Sequence, residues 1–165
     1  MIQNIVQCRA YELSSVRSVF TGAAPLGEET ALQLQDTCPG IIIRQAYANL
    51  TETSTAVSVT HLDDIWLGSS GVLLPGIKAR LVDPEGNVIT AHDTQGEIVV
   101  YSPSSTLGYL NNAKATQETF ENGWVRTGDE AVIRRSPSGS EYIFILDRIK
   151  ELIKVKVSPH QPTNS

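Results

Sequence analysis

The sequence predicts an α/β region followed by a β region, on three observations. Residues 11–43 read as strand, loop, helix and strand, the order of an α/β layer that takes ligands at its strand ends. From Leu67 to about Tyr109, Gly and Pro punctuate short apolar runs at hairpin spacing. A further hairpin pattern follows Asp129. At 165 residues the chain is long enough to bury one good hydrophobic core.

Residues 11–20 read as a turn entering a short strand. Thr21-Gly22-Ala23-Ala24-Pro25-Leu26-Gly27 is then a loop of small residues. Glu28–Thr37 is the first helix: Glu28 and Glu29 complement the dipole in its first turn, and Ala31, Leu32 and Leu34 are expected to face inward. Ile41-Ile42-Ile43, after the Pro39-Gly40 break, seeds a buried strand. Val72-Leu73-Leu74, Ala79-Arg80-Leu81-Val82 and Gly96-Glu97-Ile98-Val99-Val100 supply strands of the β region. With the turn Asp83-Pro84-Glu85-Gly86-Asn87, they predict a small antiparallel barrel or sandwich. Residues 113–120 form a short helix with Asn111 or Asn112 as N-cap. Ala131-Val132-Ile133, a turn at Ser136-Pro137-Ser138-Gly139, and residues 141–146 make the last hairpin. Residues 157–165 carry nothing to pack and are expected to be disordered.

Composition narrows the function. No apolar run reaches the ~20 residues of a transmembrane helix, and residues 1–8 lack the basic and apolar parts of a cleaved signal. Cys8 and Cys38 show neither metal nor disulfide-framework spacing, which points to a reducing, intracellular and cytoplasmic setting. The net charge of −5, with scattered Lys and Arg, argues against a nucleic-acid surface. A nucleotide, which needs only a few placed donors, remains compatible. His61, His92 and His160 have no metal spacing or paired acid and are assigned no chemistry. Trp66 is expected to pack in the core or between subdomains.

Two stretches carry the functional signal. Trp124-Val125-Arg126-Thr127-Gly128-Asp129 places a carboxylate after a glycine turn, where it can accept from a vicinal diol such as ribose. Asp147-Arg148-Ile149-Lys150-Glu151-Leu152-Ile153-Lys154 interleaves charged and apolar residues, as a segment with two packings does. Other motifs accompany them, in order: Thr21-Gly22-Ala23-Ala24-Pro25-Leu26, Tyr47-Ala48-Asn49-Leu50-Thr51-Glu52-Thr53 and Gly68-Ser69-Ser70-Gly71-Val72-Leu73-Leu74-Pro75-Gly76. Over residues 11–154 the sequence thereby resembles the AMP-forming acyl/aryl-CoA ligases, the adenylate-forming superfamily of coumarate–CoA ligase and firefly luciferase.

The resemblance implies a partial adenylate-forming fold, α/β plus β. Residues 1–66 would be the end of the second α/β subdomain, 67–146 a β-barrel subdomain with the ribose motif, and 147–156 a hinge, the C-terminal domain being missing. It implies roles as well. Gly22, Ala23 and Ala24 form the loop beside adenine, where small residues let the backbone approach. Tyr47 lies against the base, Thr51 contacts the α-phosphate and Glu52 holds Mg²⁺. Asp129 takes the ribose hydroxyls with Arg148 as a second ribose contact. Asp147 and Lys150 mark the hinge, and Lys154 faces the nucleotide in the second half-reaction. Gly96-Glu97-Ile98 and Leu107-Gly108-Tyr109-Leu110-Asn111-Asn112 look like scaffold.

The implied ligands are ATP or AMP, Mg²⁺, coenzyme A and a small carboxylic acid. Neither the acid nor an oligomeric state is assigned. Ala46-Tyr47-Ala48 stands where the family reads Gly-Tyr-Gly, and Asn49 is inserted before Leu50, which adds methyl groups beside the base and can turn Tyr47 away from it. The 165 residues contain neither the family's Ser/Thr/Gly-rich triphosphate loop nor its C-terminal adenylation lysine, so a fragment truncated at both ends and inactive alone is expected. The alternatives are a non-catalytic decoy or interaction fragment, and part of a peptide-synthetase adenylation domain, in which Pro precedes the Thr-Glu pair where Leu50 stands here. The resemblance also allows a peroxisomal location, but Thr163-Asn164-Ser165 is no peroxisomal signal.

Overall fold

The computed structural model describes residues 10–22 and 24–149; Cys8, Ala23, Lys150, Lys154, most of the expected hinge and the expected disordered tail lie outside them. Strand β1 (Ser18–Thr21) runs parallel to β2 (Ile42–Ala48), with Ser18 opposite Ile42 and Thr21 opposite Gln45. Parallel neighbours require a crossover, and helix α1 (Glu28–Thr37) lies on it. Ala31, Leu34 and Cys38, at helical spacing, pack with Leu26, Ile41 and Ile43. Leu32, expected inward, is 47% exposed. It sits about 100° around the helix from Ala31, off the buried stripe. Strands β3 (Ala56–Val59) and β4 (Val72–Leu73) extend this sheet antiparallel, in the order β1-β2-β3-β4. Val72-Leu73, read from sequence as part of the barrel, thus pairs with the first sheet, Val72 opposite Val59.

The second sheet is antiparallel throughout. It contains β5 (Lys78–Val82), β6 (Val88–Ile89), β7 (Gln95–Tyr101), β8 (Phe120–Glu121), β9 (Trp124–Arg135) and β10 (Glu141–Arg148). Their order is β10-β9-β7-β5-β6, with β8 on β9, and the sheet curls as a half-barrel. The β5–β6 turn forms because the Asp83 carboxylate accepts from Asn87 N at 2.8 Å while Gly86 takes the left-handed φ of +88°. Helix α3 (Ala113–Thr119) starts at Asn112, whose side chain accepts from Ala115 N at 3.1 Å.

The sheets share a core. Tyr47 and Val57 of the first pack with Leu81, Ile98, Val100, Ala131 and Ile143 of the second. Backbone bonds join them too, Ser70 N donating to Ile143 O at 2.7 Å and Ile143 N to Gly71 O at 2.9 Å. Gly71 has φ +86°, and a Cβ there would come within 2.0 Å of the Val59 carbonyl carbon, so no other residue fits this crossing. Trp66, in the connecting segment, stands edge-on to Tyr142 and Phe144 at 5.6 and 5.1 Å.

Candidate functional site

Asp129 is presented by a defect in a strand. Strand β9 pairs with β7 on one side and β10 on the other, so it runs on through the expected glycine turn. The turn is instead a bulge: between the pairs Glu97–Glu130 and Val99–Arg126 the register slips, and Gly128 adopts φ +73°. Bulges of this kind re-aim the following side chain. Several bonds hold this one. Thr127 Oγ1 donates to Ile98 O at 2.7 Å, Gly128 N donates to Glu97 Oε1 at 3.1 Å, and the Arg126 guanidinium pairs with the Glu97 carboxylate. That pairing raises the Arg126 pKa above its ordinary value. Glu97, read from sequence as scaffold, is the side chain that positions the bulge. Its signal was a charged residue inside a largely apolar strand, β7, and its partners lie about thirty residues on.

Asp129 is 7% exposed and already partnered. Its Oδ2 accepts from the Tyr47 hydroxyl at 2.5 Å, and its Oδ1 lies 3.4 Å from Nε of Arg148, the residue opposite it in the β9–β10 register. Burial first, then the Asp129 carboxylate, push the Tyr47 phenol far above the usual tyrosine range. Tyr47 therefore remains a donor at any ordinary pH. Its ring lies in the shared core, 8% exposed. The inserted Asn49 is absorbed at the junction of β2 with the single-turn helix α2 (Leu50–Thr53), next to a register slip between Tyr47 and Ala48.

Beside Asp129 opens a cavity of about 310 Å³ whose walls include Gly22, Ala24, Tyr47, Asp129, Asp147 and Arg148. The small-residue loop reaches it at the end of β1, where a Cβ on Gly22 would approach Ala46 O to 3.2 Å. Gln45, 5% exposed, anchors the loop's far side by bonding both Leu26 N and Leu26 O, at 2.9 and 2.8 Å. Of the residues expected to hold adenosine, Gly22, Ala24, Tyr47, Asp129 and Arg148 meet here; Ala23 lies outside the described residues.

Thr51 and Glu52 face a second, larger cavity of about 1060 Å³, together with Tyr109, Arg126 and Ile149. Arg148 lines both cavities and links them. Helix α2 is too short to stand alone and is strapped by residues 104–109: Ser104 Oγ donates to Thr53 O at 2.6 Å, Thr106 N to Glu52 O at 2.8 Å, and the Tyr109 hydroxyl to Glu52 Oε1 at 2.5 Å. Burial and then Glu52 raise the Tyr109 pKa. Tyr109 too had read as scaffold, because its partner lies 57 residues away. Among the described residues no group of three His, Cys, Asp or Glu side chains could hold a metal. His92, assigned no paired acid from sequence, meets Glu141 at 2.8 Å; the contact is exposed and off the site.

A mixed α/β sheet joined to a curled antiparallel half-barrel is a partial adenylate-forming enzyme fold. The family model of AMP-binding enzymes matches residues 1–110, and the chain belongs to that family. It is 46% identical over 151 residues to an acyl-CoA ligase of Alternaria alternata, covering 88% of this chain and 26% of that protein. With an acyl-CoA ligase of Cordyceps militaris it shares 46% identity over 147 residues, 88% of this chain and 23% of the other. Among solved structures it resembles the anthranilate CoA ligase in complex with anthranoyl-AMP, with TM-score 0.77 and 26% identity over 90% of this chain and 27% of that one. The chain thus spans about a quarter of the length of these relatives. Among the described residues no helix is long and apolar enough to cross a membrane.

Proposed function

We propose that this chain supplies the ribose- and magnesium-facing part of an ATP-dependent, AMP-forming acid–CoA ligase. In the whole reaction a carboxylate attacks the α-phosphate of ATP, giving acyl-AMP and pyrophosphate. The thiol of coenzyme A then takes the acyl group as a thioester and releases AMP. The observation that carries the reading is the convergence of Gly22, Ala24, Tyr47, Asp129 and Arg148 on one cavity, although Tyr47 and Asp129 are 82 residues apart. Asp129, fixed by the Glu97-braced bulge, accepts the ribose hydroxyls, and Arg148 balances its charge. Thr51 donates to the α-phosphate from the adjoining cavity.

The Glu52 carboxylate fits Mg²⁺, which takes one or two carboxylates and completes its shell with phosphate oxygens and water. An ion held there by Glu52 would supply neutralisation of phosphate charge. Tyr109 keeps the Glu52 side chain turned toward that cavity. The protein's contribution is placement and electrostatics rather than covalent chemistry.

The 165-residue polypeptide alone is expected to release no pyrophosphate in the presence of acids, because it contains no triphosphate loop. Calorimetry with AMP tests the site itself. Asp129→Ala should weaken AMP binding about tenfold or more, as loss of a charge-assisted acceptor does. Unchanged AMP binding in that variant would assign Asp129 to structure alone.

A further inference from the structure

The carboxylate proposed to take ribose is not open in this structure. The Tyr47 hydroxyl donates to Asp129 Oδ2 at 2.5 Å, Arg148 Nε lies 3.4 Å from Oδ1, and only 7% of Asp129 is exposed. A vicinal diol binds a carboxylate by placing one hydroxyl on each oxygen. The Tyr47 hydroxyl therefore stands where one ribose hydroxyl would stand, with the same donor chemistry and the length of a charge-assisted bond. A carboxylate this buried is costly without partners, and Tyr47 supplies one. The ring cannot simply swing out, because it packs against Val57, Ile98 and Ala131 in the core that both sheets share. The neighbouring backbone is not held by a continuous ladder: the register of β2 on β3 slips directly after Tyr47, next to Asn49 at the start of α2.

We propose that the Tyr47 hydroxyl is an internal stand-in for one ribose hydroxyl at Asp129, displaced when a nucleotide binds, and that Tyr47 sets the affinity of this site for vicinal diols and its discrimination among them. The inference rests on the adenosine-binding reading of the cavity. Exchanging the phenol for a ribose hydroxyl swaps one bond to Oδ2 for an equivalent one. That hydroxyl then adds little net affinity, and only the hydroxyl reaching Oδ1 contributes. A tie serving only to hold the two sheets together would leave diol discrimination untouched.

The test is calorimetry of the full chain and of Tyr47→Phe with AMP, 2′-deoxy-AMP and 3′-deoxy-AMP, each also in an Asp129→Asn background. In the parent, one of the two deoxy nucleotides should bind within about twofold of AMP. In Tyr47→Phe, AMP should bind about tenfold tighter and that same deoxy nucleotide should fall about tenfold behind it, the range for a hydrogen bond to a charged group. AMP binding no tighter in Tyr47→Phe than in the parent, including no binding by either, overturns the proposal. If Asp129→Asn leaves AMP affinity unchanged in both backgrounds, the adenosine reading itself fails. If affinity depends on Asp129 but Tyr47→Phe matches the parent, only the stand-in fails. Should Tyr47→Phe not fold, as judged by thermal melting, the parent decides through the Tyr47 hydroxyl proton in its NMR spectrum. Loss of that protected resonance when AMP is added supports displacement, and its persistence with or without AMP overturns it.

Discussion

The two sheets hold their shares of the site in different ways. The half-barrel fixes Asp129 within a strand paired on both sides and braces its bulge through Glu97, Arg126 and Thr127. In its interior Leu81, Ile98, Val100, Val125, Tyr142 and Ile143 are each at most 2% exposed. The first sheet offers its site residues from a loop, a strand end and a one-turn helix. Among the described residues its edge strand β1 pairs only with β2, and Phe20, Leu50 and Leu62 are 60%, 67% and 58% exposed. Antiparallel hairpins set their register locally, whereas the parallel β1–β2 pair depends on the α1 crossover. On the proposed reading the half-barrel holds the carboxylate in place, and the first sheet is expected to be the less protected part.

Substitution where the sheets cross should break this comparison most severely. Gly71→Ala combines a left-handed φ with a Cβ 2.0 Å from the Val59 carbonyl carbon. It should cost about 3 kcal/mol or more, read as a large fall in melting temperature with loss of cooperativity between the sheets. A melting temperature equal to the parent's would show that the crossing is not tight. Glu97→Ala comes next, stripping Gly128 N of its acceptor and Arg126 of its ion-pair partner at a site 12% exposed. Destabilisation by about 2 kcal/mol is expected in urea unfolding, together with weaker AMP binding. Loss of stability with AMP binding unchanged would detach the bulge from the site.

Alkaline pH acts on the contacts between the two regions. Burial and then Asp64 push the Tyr142 pKa from its ordinary 10.0 up to about 12, and Tyr47 and Tyr109 are raised as well. A tyrosine whose pKa is higher in the folded state adds stability that is fully present below about pH 10 and is lost as pH rises through the folded value. Melting temperatures should therefore fall between pH 10 and 12. Tyr142→Phe should flatten part of that decline, and an unchanged slope would remove Tyr142 from the account. The smallest effect is expected at α3. Asn112→Ala deletes the cap on Ala115 N and should cost about 1 kcal/mol, with exchange rising only around residues 113–119.

What the sequence made legible was local. The helix Glu28–Thr37, the Asp83–Asn87 turn, the Asn112 cap and the last hairpin each follow from signals within a few residues. The order of the motifs also named Gly22, Ala24, Tyr47, Asp129 and Arg148, which the fold brings to one cavity. What escaped depends on partners far along the chain: Tyr47 with Asp129, Tyr109 with Glu52, Glu97 with Arg126 and Gly128, and His92 with Glu141. The Gly128 bulge escaped for the same reason, since only pairing on both edges of β9 turns an apparent turn into a strand defect. Leu32 illustrates a different failure, in which an apolar residue within an amphipathic helix fell outside the buried stripe.

Hydrogen exchange resolved by segment, with and without AMP, tests most directly whether both sheets build one nucleotide pocket. Without ligand, β7 and β9 should exchange more slowly than β1 and β2. With AMP, protection should rise together around Gly22, around Tyr47 and around Asp129 and Arg148, while the Asp83–Asn87 turn stays unchanged. Protection confined to one sheet, or none at any AMP concentration, would contradict the account.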